Sequence, residues 1–156
     1  MESLGRNSES EHELRDLPAD LERVLGADHP DTFATTADLC HAIGHTRYAE
    51  AHEMLSNMLP AQSRTLGDDH PDTLRTRHML ARAKLRLGNP ADAEQIYGQV
   101  LHGRRQTLGD DHPDTIKTRY GLTQAMDEAG RPAEAERQNR DRSARSARGG
   151  GADTAT

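Results

Sequence analysis

One phrase of eight residues recurs three times along the chain, as LGADHPDT from Leu25 and as LGDDHPDT from Leu66 and Leu108. The copies begin 41 and 42 residues apart. A helix-pair unit of this length cannot bury its own apolar face, and it becomes stable by stacking on copies of itself. The spacing therefore predicts a stacked array of repeats.

Apolar residues between the phrases recur with the same period and at helical steps of three and four residues. The second unit has Ala93, Tyr97, Val100 and Leu101, and 42 residues earlier the first has Ala51, Leu55, Met58 and Leu59. The alanines are small where two helices approach closely, and the larger residues fill the space beside them. Each unit is therefore predicted to form a helix A, a turn and a helix B.

Helix limits follow from prolines, aspartates and glycines in the pattern. Helix A is expected to begin at the His-Pro-Asp-Thr segment, since proline is tolerated in the first helical turn. The candidate N-caps precede that segment, and the candidate ends of helix A are C-terminal glycines. The first unit has Thr46 where that glycine is expected, so its turn is predicted to be irregular. The N-cap candidates are Asp28, Asp69 and Asp111; the glycines are Gly88 and Gly130; and Pro90 and Pro132 are expected to open helix B.

The residues of the second unit resemble the tetratricopeptide-repeat pattern, through Leu80, Ala81, Gly88 and the apolar set from Ala93 to Leu101. The 42-residue period and the L-G-x-D-H-P-D-T linker are similar to the kinesin-light-chain type of that repeat, common in bacterial multi-repeat proteins. The resemblance covers about residues 25–137. It implies an all-α, right-handed α-solenoid that binds peptides or other proteins without catalysis.

The resemblance also implies a peptide clamp that this chain lacks. Repeats of the kinesin-light-chain type usually carry an asparagine before the leucine of helix A, where it holds the backbone of a bound peptide. Those positions are occupied here by Asp38, Met79 and Gly121. A ligand of this chain must therefore be held differently.

The domain limits predicted from the pattern are an array over residues 11–146 between disordered ends at 1–10 and 147–156. The array comprises a leading helix over 11–25 and repeats over 25–65, 66–107 and 108–146. In the third helix B, polar residues replace the apolar ones of the second. Either this helix is a polar cap, as terminal repeats need, or it frays beyond Gln138. The polar residues are Gln138, Asn139, Arg142 and Ser143.

Composition favours a cytoplasmic scaffold with a thin core. The chain has one Phe, three Tyr and no Trp, and its mean hydropathy is −0.93. No apolar run approaches the roughly 20 residues of a membrane span, and the N-terminus lacks the features of a signal peptide. The single cysteine, Cys40, excludes an internal disulfide, and its place in helix A predicts a buried, inert thiol.

The charge distribution argues against nucleic acid or membranes as partners. The net charge of the 156 residues is −6, although residues 137–156 carry five arginines and two aspartates. The remainder therefore stands at −9 and would repel phosphate. Arginines without interleaved aromatic residues are also a poor signature for nucleic-acid binding.

Catalytic motifs are absent from the sequence, and no cofactor is expected. His29, His70 and His112 belong to the repeated phrase, and triplication favours a local structural hydrogen bond over catalysis. His41 and His45 lie four residues apart, with Asp38 and His52 near them. This group is the one candidate for a metal site, since two histidines at that spacing can hold zinc if a third ligand arrives.

The concave surface formed by the A helices is the predicted binding site. Arginine forks there could hold a carboxylate in a bidentate manner, and a tyrosine adds an amphipathic platform. We therefore expect an extended acidic segment or a C-terminal carboxylate as the ligand, unless these side chains only pair with neighbouring acids. The residues expected in this groove are His41, Arg75, His78, Arg82, Arg86, Lys117, Tyr120 and Gln124.

Three functions agree with these patterns. The first is a non-catalytic adaptor or scaffold that binds a protein or peptide. The second is a structural module that self-associates into a homo-oligomer through the leading helix or the end of the array. The third is a histidine-rich metal protein or enzyme centred on Asp38, His41, His45 and His52.

Overall fold

The computed structural model describes residues 16–131 together with residues 136, 137, 140, 141 and 144, and all of its regular secondary structure is helical. Helix α1 covers residues 16–25. It is followed by α2 (Pro30–Ile43), α3 (Tyr48–Leu66), α4 (Pro71–Arg86), α5 (Pro90–Leu108) and α6 (Pro113–Glu128). The five described residues beyond position 131 are all helical, but the described positions are interrupted, so no further helix is numbered there.

The helices pack in chain order, as a stacked repeat requires. From α2 onward each helix contacts the next one in the chain, and smaller contacts join α2 to α4 and α4 to α6. Helices α2, α4 and α6 are thus the A helices of three successive repeats, and α3 and α5 are the B helices of the first two. The prediction of an all-α repeat solenoid is confirmed.

Histidine, rather than aspartate, caps the A helices. The Nδ1 atoms of His29, His70 and His112 each accept a hydrogen bond, 3.1 Å long, from the backbone N–H two residues later. The prediction that Asp28, Asp69 and Asp111 are the N-caps is therefore wrong, because the histidine side chain lies one residue closer to the unpaired N–H groups of the first turn. The expected local hydrogen bond of the repeated histidines is confirmed.

The ends of α4 and α6 are closed by the expected glycines. Gly88 and Gly130 have φ values of +86° and +80°, a region that residues with a Cβ rarely adopt. At the end of α4 the Gly88 N–H donates to Leu85 O and the Asn89 N–H donates to Lys84 O, which are the two bonds of a Schellman motif. The first repeat differs there: the N–H groups of Thr46 and Arg47 both donate to Ile43 O.

The core consists of two apolar clusters, which lie one after the other along the array. The first gathers α2, α3 and the middle of α4 around Phe33 and Leu55, and the second gathers α4, α5 and α6 around Tyr97 and Leu122. Ala51 and Ala93 are 2% and 0% exposed, as the predicted alternation of small and large residues requires. Cys40 is buried in the first cluster, and burial raises the pKa of its thiol to about 12.

Several predictions lie outside the described residues and stay predictions. They are the disordered ends at 1–10 and 147–156, the start of the leading helix at 11–15, the opening of a helix at Pro132, and the four polar residues of the third helix B at 138, 139, 142 and 143. Within the part that is described, none of the helices combines the length and apolarity needed to cross a bilayer.

Candidate ligand-binding cleft

A cleft of about 520 Å³ opens beside α4, between the C-terminal end of α5 and the first turns of α6, with His41 of α2 at its margin. Four cationic side chains line it. We call it the cationic cleft and define it by those side chains, which are Arg75, Arg82, Arg104 and Lys117.

The helical period of α4 places two of these cations along one face. Arg75, His78 and Arg82 follow one another at steps of three and four residues, so they lie on the same side of the helix. On the opposite side of the helix, Leu80 is 7% exposed and packs in the first apolar cluster. The polar face is thereby held in a fixed orientation towards the cleft.

Two of the cations form exposed ion pairs. The Arg75 Nη2 atom lies 2.8 Å from Asp38 Oδ1, which joins α4 to α2, and the Lys117 Nζ atom lies 3.8 Å from Asp114 Oδ1. The side chains of Asp38 and Lys117 are 68% and 71% exposed. Pairs of this kind contribute about 0–1 kcal/mol, so an incoming anion can replace either carboxylate at little cost.

Arg104 differs from the other cations because it is buried, with 6% of its surface exposed. Its Nη1 atom donates to Asp114 O at 2.9 Å and to Thr118 Oγ1 at 2.7 Å. Burial lowers its pKa, and the negative charge of Asp114 opposes that effect. The sequence analysis missed Arg104. The available signal was that the equivalent position of the preceding repeat, 42 residues earlier, is the neutral Gln62.

His78 is held between Tyr97 and Thr118. Its ring meets that of Tyr97 edge to face with 5.2 Å between centroids, and its Nδ1 atom lies 3.3 Å from Thr118 Oγ1. Burial lowers the pKa of His78 to about 4, and the positive charges of Arg104 and Arg82 act in the same direction. His78 is therefore neutral at neutral pH, and Thr118 contacts both His78 and Arg104.

The glycine at position 121 has a steric explanation. A Cβ atom built at this position would lie 2.6 Å from two ring carbons of Tyr97. Burial raises the pKa of Tyr97 to about 12, so its hydroxyl stays protonated. The tyrosine ring thus fills the space that a side chain at position 121 would need, at one of the three positions where an asparagine clamp is missing.

The predicted groove residues divide into two groups. Five of them line the cleft: His41, Arg75, His78, Arg82 and Lys117. The pKa of His41 is lowered by burial and then by the charges of Arg82 and Arg75.

The other three predicted groove residues lie outside the cleft. The Arg86 guanidinium lies over the Tyr48 ring, 5.9 Å from its centroid. Gln124 Nε2 donates to Glu128 Oε1 at 3.3 Å, and Tyr120 is 73% exposed to solvent.

The candidate metal ligands are not assembled into a site. The rings of His41 and His45 contact edge to face at 5.9 Å, while Asp38 is engaged with Arg75. Within residues 16–131 and the few described beyond them, no group of three or more His, Cys, Asp or Glu side chains is arranged to hold a metal ion.

Comparison with known proteins agrees with the stacked helix pairs. Two family models described as tetratricopeptide repeat match residues 73–114 and 117–138. No curated protein sequence matches the chain.

Two solved structures, both of putative kinesin light chain nearly identical TPR-like repeats from Podosopora anserina, are similar to this chain at 28% identity. One has a TM-score of 0.84 and matches 92% of this chain and 69% of its own length. The other, a variant in which one glutamine is replaced by methionine, has a TM-score of 0.72, with 88% and 65% covered. Together with the repeated phrase, these matches show that the chain is similar to tetratricopeptide-repeat proteins of the kinesin-light-chain type, with matches to the repeat itself at residues 73–114 and 117–138.

Proposed function

We propose that this chain is a non-catalytic protein-binding scaffold whose cationic cleft takes an acidic peptide segment or a C-terminal carboxylate. Tetratricopeptide repeats are in general protein-interaction modules. The observation that carries the finer proposal is the local charge. Four cations and two carboxylates, Asp72 and Asp114, line the cleft, a net of two positive charges in a chain whose own net charge is −6.

The way in which the cleft would hold such a ligand follows from its exposed ion pairs. An incoming carboxylate takes the place of Asp38 on Arg75 or of Asp114 on Lys117, so a charge-assisted bond is exchanged rather than created from water. Arg82 lines the cleft and forms no ion pair with another described residue. Because the cleft is small and two of its cations are already paired, the affinity is expected to be modest.

The test uses a fluorescein-labelled octaglutamate peptide and fluorescence anisotropy at low ionic strength. We expect saturable binding to the full chain and a loss of at least tenfold in affinity on reversing Arg75 and Arg82 to Glu, since each charge-assisted bond contributes about 1.5–3 kcal/mol. The matched control reverses Arg64 and Arg105 to Glu, because neither residue lines the cleft and the change in net charge is the same.

The outcome of the control decides between a site and general attraction. Equal losses in the two double variants, or equally tight binding of octalysine, would contradict the proposal. Retention of binding in the control with loss in the cleft variant would support it.

Self-association is the second candidate, and one observation favours it. Helix α1 exposes three large apolar residues, with Leu17 at 43%, Val24 at 73% and Leu25 at 41%. If α1 mediates a homo-oligomer, light scattering gives a mass that rises with protein concentration, and Val24→Glu returns it to that of the 17.2 kDa monomer. A monomer mass at every concentration would eliminate this alternative.

A further inference from the structure

We infer that Arg104 is the buried anchor of an oxyanion subsite at the junction of α4, α5 and α6, which takes one carboxylate or phosphate group of the bound partner. The inference rests on the proposed function and deepens it, because it names a single recognition point within the cleft. It also restricts that point to one of the two repeat junctions that the structure describes.

The preceding junction shows that the fold does not need an arginine at this position. Gln62 precedes Arg104 by 42 residues and is 1% exposed, and Thr76 precedes Thr118 by the same interval and is 0% exposed. A neutral amide therefore fills the equivalent place between α3 and α4. Of these two equivalent positions, only position 104, at the junction of α4, α5 and α6 that opens into the cleft, carries a positive charge.

A buried guanidinium needs a reason, because removing an ion from water costs several kcal/mol unless it is paired. Arg104 donates two hydrogen bonds to described residues, both from Nη1, and the acceptors Asp114 O and Thr118 Oγ1 are uncharged. No carboxylate of a described residue lies within 4.0 Å of the guanidinium. The Nε and Nη2 atoms donate no hydrogen bond to a described residue. They can therefore bind an added anion, although the carboxylate of Asp114 already offsets part of the positive charge.

The surroundings fit an oxyanion with two or more oxygens. Arg82 and Lys117 line the same cleft, and their positive charges act on His78 together with that of Arg104. A guanidinium fork binds either a carboxylate or a phosphate through two parallel N–H···O bonds. The chemistry shared by these groups, rather than one particular ligand, defines the subsite.

The first experiment observes Arg104 directly in the full chain, uniformly labelled with ¹⁵N. Sodium acetate and sodium phosphate are titrated in turn against sodium chloride at constant ionic strength, and the Nε–Hε resonances of the arginines are followed by NMR. We expect a saturable shift of the Arg104 resonance that is absent from Arg105. The tighter of the two anions identifies the ligand group as carboxyl or phosphoryl.

A resonance of Arg104 that moves no more than that of Arg105, or that moves equally in chloride, would overturn the subsite. Saturation with either acetate or phosphate supports it.

The second experiment repeats the octaglutamate titration with three variants. Arg104→Gln should weaken binding by tenfold or more, because it removes a charge-assisted fork, and Arg104→Lys should fall between it and the wild type. Arg105→Gln is the matched control: it removes the same charge from the next residue, whose side chain pairs with Asp110 away from the cleft, and should change binding by less than twofold.

Glutamine is the residue that the first junction already accommodates, so Arg104→Gln is expected to fold, and circular dichroism checks this before titration. If octaglutamate binds all three variants as it binds the wild type, the subsite is wrong and the proposed function stands. If octaglutamate fails to bind the wild type while acetate or phosphate still shifts Arg104, the proposed function is wrong and the subsite stands.

Discussion

Histidine occupies two kinds of position in this chain, and the repeat separates them. His29, His70 and His112 are copied in each unit and cap the A helices through Nδ1. His78 is not copied: the equivalent positions of the other repeats are Ala37 and Tyr120. A histidine that recurs in every unit stabilises the fold of that unit. An unrepeated polar residue such as His78 or Arg104 instead shows where one repeat junction differs from the other.

The half-buried imidazole of His78 is expected to make folding sensitive to acid. Its pKa is about 4 in the folded chain and about 6.5 in the absence of structure, so the unfolded chain binds more protons between these values and stability falls as the pH is lowered through that window. The expected loss is roughly 2–3 kcal/mol between pH 7 and pH 4. Urea unfolding at a series of pH values measures it.

The control for this prediction is His78→Gln, which cannot titrate. The difference in unfolding free energy between the wild type and this variant should change with pH in the same window. Two pH profiles that run parallel would show that His78 does not carry the effect.

At the scale of the helix, close packing between neighbours is set by small residues at a few crossing points. Helix α6 approaches α5 at Gly121, where the Tyr97 ring lies against the backbone. Gly98 lies on α5 itself, and a Cβ atom built there would meet no atom within 4 Å. Gly98 and Gly121 are therefore two helical glycines at which an added methyl group should have opposite effects on stability.

These two glycines give a matched pair of alanine substitutions. Gly98→Ala should stabilise the chain by about 0.5–1 kcal/mol, because alanine is the better helix former and the space is open. Gly121→Ala gains the same propensity but forces the buried Tyr97 ring to move, and overpacking costs about 1–3 kcal/mol. We therefore expect a net loss of stability in denaturant unfolding. Equal gains from both substitutions would show that the ring moves without cost.

At the scale of the whole molecule, stability is shared along the stack. Each described helix from α2 to α6 contacts mainly its neighbours in the chain, and the two apolar clusters lie in series. In such an array, the stability of one unit depends on its own folding and on the interfaces with adjacent units. Helices α4 and α5 have packed partners on both sides and belong to the centre of the array.

Hydrogen exchange should reveal this gradient. We expect the slowest backbone amides in α4 and α5 and faster exchange in α1 and α2, because local opening begins where there are fewer neighbours. Native-state exchange followed by mass spectrometry or NMR measures it helix by helix. Uniform protection from α1 to α6 would instead indicate a single cooperative unit.

The sequence by itself determined the period, the helix pairs, the glycine ends of the A helices and the apolar residues of the core, because these are local patterns that each unit repeats. It also placed Arg75, His78, Arg82, Lys117 and His41 on the face that lines the cleft, since helical spacing alone assigns a face. It erred on the N-caps, where aspartate and histidine are adjacent and only geometry selects the acceptor. Only the tertiary structure decided that Arg104 enters the cleft and that Arg86, Tyr120 and Gln124 do not, because the reach of a side chain depends on the helix packed against it.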